Sequence, residues 1–223
     1  DLYFEPTLSE NNGNKVLSMK LKTSENAYLE YVYTLPKEGY MLDVAVRSQG
    51  LSGVVNTSKP MNIDWKLQAR RMEKSVTYEN RYTQATVQYD GDRINRLSQG
   101  GNDEQKEEKV NWVAYKQHLF TSVLISDNPF AKGDFVSHNI AMSEGKDVKY
   151  TKNFLTSLPI QAKSGELSES LHFYFGPSDY NVLKQYNDKY ELTELIPLGW
   201  GIFGWLNKWL FIPLYNFLTD YFS

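Results

Sequence analysis

The stretch from residue 200 to 222 constrains the chain more than any other. Nearly every side chain in it is apolar or aromatic, and three of the five tryptophans (Trp200, Trp205, Trp209) fall there. Only Asn207, Lys208, Asn216, Thr219 and Asp220 interrupt the run. A transmembrane helix needs ~20 apolar residues. The length suffices, but Lys208, Pro213 and Asp220 oppose a span, because a charge at mid-bilayer is costly. An interfacial helix fits better. Phe203, Leu206, Leu210, Leu214, Phe217 and Tyr221 recur at three and four residues and share one helical face. Gly204, Lys208, Tyr215 and Thr219 fall opposite, with Phe211 among them, so the contrast between the faces is shallow. Trp and Tyr rings favour the headgroup layer, where an apolar body and a polar tip are both satisfied. A helix packed on the protein's own core is the third placement. The sequence favours the interface and leaves the other two open.

The rest of the chain reads as strands. Tyrosine is abundant, at 16 residues, and aromatic and β-branched residues favour sheets. Leu17, Met19 and Leu21 alternate with polar neighbours, as do Leu29, Tyr31, Tyr33 and Leu35, then Leu42, Val44 and Val46, then Ile63, Trp65, Leu67 and Ala69. Period-two patterns of this kind mean half-buried, mostly antiparallel strands. Pro36-Lys37-Glu38-Gly39 and Lys163-Ser164-Gly165 predict turns, as does Asp127-Asn128-Pro129; Asp90-Gly91 predicts a tight hairpin. The polar run 98–108 predicts a mobile loop inside one domain. Residues 111–125 predict one long strand, and 135–142, 148–158 and 171–175 predict others. Gly176-Pro177 ends the last strand. Ser178 is placed as the N-cap of a short helix reaching about Tyr190, and 193–201 as a linker. Three segments result: a β-domain over 1–176, a short helix and linker over 177–198, and the apolar helix over 199–223.

Chemistry-bearing motifs are sparse. The net charge of −3, with acids and bases mixed, argues against nucleic acid as a partner. The chain has no cysteine, which excludes a disulfide frame, a thiolate metal site and a cysteine nucleophile. His118, His138 and His172 each fall in a predicted strand, without a histidine partner at metal-ligand spacing. No phosphate-binding glycine loop, nucleophile elbow or zinc-protease motif occurs. Asp90-Gly91-Asp92 lacks the further ligands of a calcium loop. Asn56-Thr57-Ser58 matches the glycan-acceptor pattern. Trp65 and Trp112 are candidates to stack a sugar, but tryptophans alternating with polar residues in strands are usually core. No catalytic residue, metal or cofactor is expected. The chain opens with no basic, apolar leader pattern, and it is expected to be an excerpt of a longer protein.

The stretch LHFYFGPSDYNVLKQY, followed by LTELIPLGWGIFGWLNKWLFIPLYNFL, resembles the YidC/Oxa/Alb membrane insertase family. It is similar to the junction between that family's large periplasmic domain and its membrane core. Gly176-Pro177, the short helix, the hinge Gly199-Trp200-Gly201 and the aromatic helix follow in the family's order. Asn111-Trp112-Val113-Ala114 with Gln117, His118 and Phe120 adds a further match, and the Tyr- and Asn-rich flavour suggests a Bacteroidetes-like member. The resemblance implies a mainly β fold, an antiparallel β-supersandwich of galactose-mutarotase type with C-terminal helices. It implies a bacterial inner-membrane location with this portion facing the periplasm. The implied work is inserting and folding nascent membrane proteins, alone or with the Sec translocon and its accessory subunits, with lipid headgroups as a further partner. The groove arginine of the family's membrane core is expected beyond Ser223. At the membrane interface the resemblance places Trp200, Phe203, Trp205, Leu206, Trp209, Leu210, Leu214, Phe217 and Tyr221. A mutarotase-like sheet also admits a second reading, an envelope domain that binds or epimerises sugars. That chemistry needs a histidine and a carboxylate together in a cleft, and the sequence identifies no carboxylate partner for His118 or His172.

Overall fold

The structure, a computed structural model, describes residues 2–51, 56, 59, 61–141, 148–199 and 202–222. The chain divides into two compact units, Asp1–Ser178 and Asp179–Ser223. The glycan-acceptor residues Thr57 and Ser58 lie outside the described residues, as do Trp200 and Gly201 of the hinge.

The first unit is an antiparallel β structure of eleven strands: β1 (Glu5–Asn11), β2 (Asn14–Ser24), β3 (Ala27–Leu35), β4 (Met41–Gln49), β5 (Met61–Arg70), β6 (Gln84–Tyr89), β7 (Arg93–Arg96), β8 (Asp103–Lys116), β9 (Phe120–Asn139), β10 (Tyr150–Ile160) and β11 (Ser168–Pro177). One helix, α1 (Val76–Tyr82), interrupts them, capped by the Ser75 hydroxyl on the Tyr78 N–H. Strand neighbours run β1-β2-β3-β4-β11-β9-β8-β6-β7, with β5 and β10 branching from β9.

Strand β9 holds these two groups together. Along one edge it follows β8 for most of its 20 residues. Along the other it pairs with β11 from Phe120 to Ser126 and then with β10 from Asp134 to Asn139. The exposed Asp127, Asn128 and Pro129 sit at the exchange. Proline has no N–H to donate, so it fits where one ladder stops and the next has not begun. β8 answers with an irregularity of its own, a left-handed Lys109 (φ 53°) and a register shift between Val110 and Trp112.

Several expectations need correction. The polar run is not a loop throughout, because residues from Asp103 onward form the first half of β8. Their alternating exposure suits a half-solvated strand, and Lys106 pairs with Asp134 at 3.0 Å across to β9. Residues 111–125 are not one strand. They turn at Gln117, His118 and Leu119, so His118 lies in a hairpin turn. Asp127-Asn128-Pro129 is not a turn but the partner exchange inside β9. Helix α1 carries no long apolar period and was not expected at all. The turns at Gly39 (φ 95°), Asp90-Gly91 and Ser164-Gly165 form as expected, each with left-handed backbone.

Among the described residues, a core cluster of this unit draws on both branches, including Val44, Ala85, Val113, Leu124, Phe135, Leu158 and Leu171. Its centre is a stack of rings. Tyr115 of β8 lies between Trp65 of β5, 4.2 Å away, and Phe154 of β10, 4.8 Å away, with Phe173 of β11 edge-on to Trp65 at 5.8 Å. The Tyr115 hydroxyl reaches the Trp65 carbonyl (3.0 Å) and the Thr156 hydroxyl (2.6 Å). Burial pushes the phenol well above its ordinary pKa. Trp112 is almost fully buried. Both candidate sugar platforms are therefore engaged in the interior.

Gly176 is required where the chain leaves the sheet. A Cβ there would lie 2.6 Å from the Tyr174 hydroxyl and 2.8 Å from Tyr40 Cγ. Tyr174 crosses this open position to donate to the Pro177 carbonyl at 2.8 Å. Gly176→Ala should cost about 1–3 kcal/mol by overpacking, read as a lower denaturation midpoint with an unchanged denaturant slope.

Lys152 of β10 is fully buried, and its Nζ donates to the Gln99 carbonyl at 2.7 Å. Burial holds its ammonium down from the ordinary 10.5 to about 8. The folded chain therefore releases this proton before the unfolded chain does. Between those two pH values the unfolded state binds more protons, so this group's contribution to stability rises with pH. Below about 8 its destabilising effect is present in full. Denaturation of native chain and Lys152→Met across pH 7 to 10.5 should show the native chain gaining on the variant as pH rises, by at most about 1.4 kcal/mol per pH unit.

Candidate membrane interface

The second unit begins with a capped turn. Asp179, rather than Ser178, is the N-cap of α2 (Tyr180–Lys184), its carboxylate accepting from the N–H groups of Asn181 (2.9 Å) and Val182 (3.0 Å). The helix does not run unbroken to Tyr190. It stops at Gln185, and a second short helix α3 (Asn187–Tyr190) follows, closed by a left-handed Glu191. The expected linker starts inside a 3-10 turn, Leu192–Leu195, whose two leucines are buried. Asn187 steadies this turn by accepting from the N–H of Thr193 (3.1 Å) and from its hydroxyl (2.5 Å).

The apolar segment is helical but not one regular helix. It comprises α4 (Ile202–Leu206), a π-helical turn (Asn207–Phe211) and α5 (Ile212–Phe222). In the π turn the Ile212 N–H bonds to the Asn207 carbonyl, five residues back. The slip sits immediately before Pro213, whose missing N–H removes one regular bond in any case. It also breaks the continuous spacing of three and four, so Phe203 and Leu206 are rotated out of phase with Leu214, Phe217 and Tyr221. Among the described residues, no helix is long and apolar enough to cross a membrane.

Most of the segment's large apolar side chains are exposed. Trp205 (61 % exposed), Trp209 (64 %) and Tyr221 (74 %) project outward, as do Phe203, Leu210, Leu214 and Phe217. Leu206 is half-buried, and Trp200 lies outside the described residues. Among the polar side chains Lys208 and Thr219 are exposed, while the two asparagines are turned toward their own unit. Asn207 is half-buried and donates to the Leu198 carbonyl at 2.5 Å. Asn216 is also half-buried and exchanges two amide bonds with Asn181 of α2, at 3.0 and 3.2 Å. Sequence periodicity grouped the apolar residues but gave no sign that the two asparagines would bind the segment to its own unit.

The histidines do acquire carboxylate neighbours that the sequence did not reveal. His118 Nδ1 lies 2.9 Å from Glu73 Oε1, and His138 Nε2 lies 3.2 Å from Glu104 Oε1. His172 stands between Asp43 (Nδ1, 2.6 Å) and Asp127 (Nε2, 3.1 Å). Each pair joins residues far apart in sequence, so no local motif could show it. Two surface depressions, one lined by Lys66, Gln68, Asn153 and Phe154 and the other by Thr77, Asn80, Arg81 and Gln99, contain none of these histidines. No group of three or more metal-ligating side chains occurs among the described residues.

A family model described as the YidC periplasmic domain matches residues 1–213. The chain belongs to the YidC periplasmic domain family. Curated relatives named membrane protein insertase YidC agree. That of Porphyromonas gingivalis is 35 % identical over 234 residues, covering 100 % of this chain and 36 % of the relative. That of Parabacteroides distasonis is 34 % identical, covering 99 % and 35 %, and that of Bacteroides fragilis is 31 % identical, covering 99 % and 36 %. These sources agree with the Bacteroidetes-like flavour of the sequence. The chain thus spans about a third of the length of the curated relatives it matches. Among solved structures, heparinase III is similar with a TM-score of 0.35 at 9 % identity, over 78 % of this chain and 21 % of its own. A likeness this slight carries no argument about fold or chemistry.

In the second unit the Asn181–Asn216 exchange is a polar clasp between α2 and α5. Asn216→Ala removes both bonds. An exposed amide bond is worth about 0.5–1.5 kcal/mol, so hydrogen exchange over α5 should accelerate several-fold while the β strands keep their protection.

Proposed function

We propose that this chain is the periplasmic portion of a membrane protein insertase of the bacterial inner membrane, and that its apolar segment lies in the headgroup layer and anchors the β unit there. The observation that carries the reading is the exposure of the segment's large apolar side chains. Its asparagines bind the chain's own second unit, while tryptophans and phenylalanines face outward. Burying an apolar side chain of this size is worth about 1.5–3 kcal/mol, so the outward rings seek an apolar medium. The names of the relatives supply the larger role. The protein would assist nascent membrane proteins into the bilayer, alone or with the Sec translocon. The work assigned to this portion is binding and positioning; no residue of it is given a catalytic role. The half-buried Leu206 lies on the inner side of the segment, so the membrane contact belongs to Trp205, Trp209, Leu210, Leu214, Phe217 and Tyr221, with Phe203 at its start.

Flotation with vesicles of phosphatidylethanolamine and phosphatidylglycerol tests this. The chain should float, and its tryptophan emission should move to shorter wavelength. The triple variant Trp205→Ser, Trp209→Ser, Phe217→Ser should lose at least about tenfold in partitioning with no change in the far-ultraviolet signature of the β unit. A native chain that stays in solution, with unshifted emission, would refute the anchor.

A further inference from the structure

The β unit carries its own apolar projection. The β8–β9 hairpin ends in Leu119 and Phe120, 62 % and 61 % exposed. Beside it, the loop after β5 presents Met72, 73 % exposed. The two tips are bound into one surface. Gln117 Nε2 donates to the Arg70 carbonyl at 2.9 Å, and His118 Nδ1 lies 2.9 Å from Glu73 Oε1. Beneath them α1 fixes the loop from inside: its buried Glu79 accepts from the N–H groups of Met72 (2.7 Å) and Glu73 (2.8 Å). The apolar side chains are therefore held out on a rigid frame rather than left loose.

Two further features say what covers this surface. A belt of amphipathic rings borders the tips, with His118 lying against Tyr82 at 4.5 Å and Tyr78 at 5.3 Å. Basic residues flank the loop, the exposed Arg70 and Lys74 with Arg71 between them. Apolar tips, a ring belt with polar edges and flanking cations are what an anionic lipid surface selects: the tips enter the acyl boundary, the rings sit among the headgroups and the cations meet phosphate. The patch also lies where the chain leaves the sheet. Pro177 of β11 pairs with Phe120, and the Ser178 N–H bonds to the Leu119 carbonyl at 2.8 Å.

We infer that the hairpin tip at Leu119 and Phe120, together with Met72, is a second lipid-contact site, carried by the β unit in addition to that of the aromatic segment. This rests on the membrane reading of that segment, and the two are separable by experiment. The chain has no cysteine, so a single one can be placed at will. Full-length chains carrying Phe120→Cys, Leu214→Cys or Asp92→Cys are labelled with a nitrobenzoxadiazole dye. Asp92 lies in the turn after β6, at the far end of the strands that meet the hairpin. The chains are mixed with vesicles of phosphatidylethanolamine and phosphatidylglycerol, with and without nitroxide-labelled lipid.

The dye at 120 should brighten, shift to the blue and be quenched by the nitroxide, as should the dye at 214, while that at 92 stays unchanged. The unlabelled variant Leu119→Ser, Phe120→Ser should bind the vesicles about tenfold more weakly and keep its circular dichroism. A response at 214 alone overturns the second site and leaves the segment's role intact. A response at 120 alone keeps the site and removes the segment. No response at either position overturns both. Equal responses at 120 and 92 mean general adsorption and overturn the site. A response at 120 without vesicles, or only with vesicles bearing membrane proteins, assigns the patch to self-association or to a protein and overturns the lipid contact.

Discussion

Backbone hydrogen bonding along β9 governs the β unit. A strand of 20 residues presents donors and acceptors along two edges, and buried ones must be paired. β8 satisfies one edge. No single strand satisfies the other; β11 takes the first part and β10 the second. That exchange is why β10 and β5 form a branch separate from the long run of strands. It also creates the space that the core fills. Tyr115 enters that space from β8, Trp65 and Phe154 from the branch, and Phe173 from β11. The rings bury the area, and the Tyr115 hydroxyl, reaching both the Trp65 carbonyl and Thr156, fixes how the layers register. Pro129, which has no N–H to donate, falls on β9 between the β11 and β10 pairings.

Buried polar groups then transmit this rigid frame to the surface. Glu79 has no exposure, yet two backbone N–H groups of the loop after β5 converge on its carboxylate. Hydrogen bonds to a charged acceptor are worth about 1.5–3 kcal/mol, enough to hold a short loop with an exposed methionine in one position. The hairpin is tied to the same loop through Gln117 and His118. An apolar projection that is expensive in water is therefore built from fixed backbone. Evenly scattered apolar exposure needs no explanation; exposure fixed by a buried carboxylate does.

The sequence made legible whatever depends on local pattern. Period-two alternation marked β2, β3, β4 and β5, and left-handed turn chemistry marked Gly39, Asp90-Gly91 and Ser164-Gly165. Gly176-Pro177 marked the exit from the sheet, and the structure adds the reason, since Tyr174 lies across a position with no Cβ. What failed depended on distant partners. The charges of residues 103–108 look like a loop until β9 lies alongside them. The turn at Gln117-His118-Leu119 contains neither glycine nor proline, so nothing local divides β8 from β9. Pro129 looks like a turn because its missing donor is visible in sequence while the change of partner that excuses it is not. Each histidine–carboxylate pair spans at least 34 residues, and the longest, His172 with Asp43, spans 129. In the outer segment, a regular helical count joined residues that the π turn sets out of phase.

The apolar segment is tied to its own unit by two amides and exposes most of its large side chains. In water a helix gains by turning rings inward and amides outward; here the amides of Asn207 and Asn216 are spent on the chain's own backbone and on Asn181, and the rings face away. The π turn serves the same end. Its extra residue per turn shifts α5 relative to α4, and this lets Asn207 and Asn216 both reach inward although nine positions separate them. Nine residues of regular helix advance two and a half turns and would set the two asparagines on opposite faces. Slipping the ladder by one residue returns them toward a common side and leaves the outer side to Trp205, Trp209, Leu214 and Phe217. An insertion that weakens the helix internally is offset by the two asparagine contacts it brings toward a common side, while Lys208 and Thr219 stay exposed.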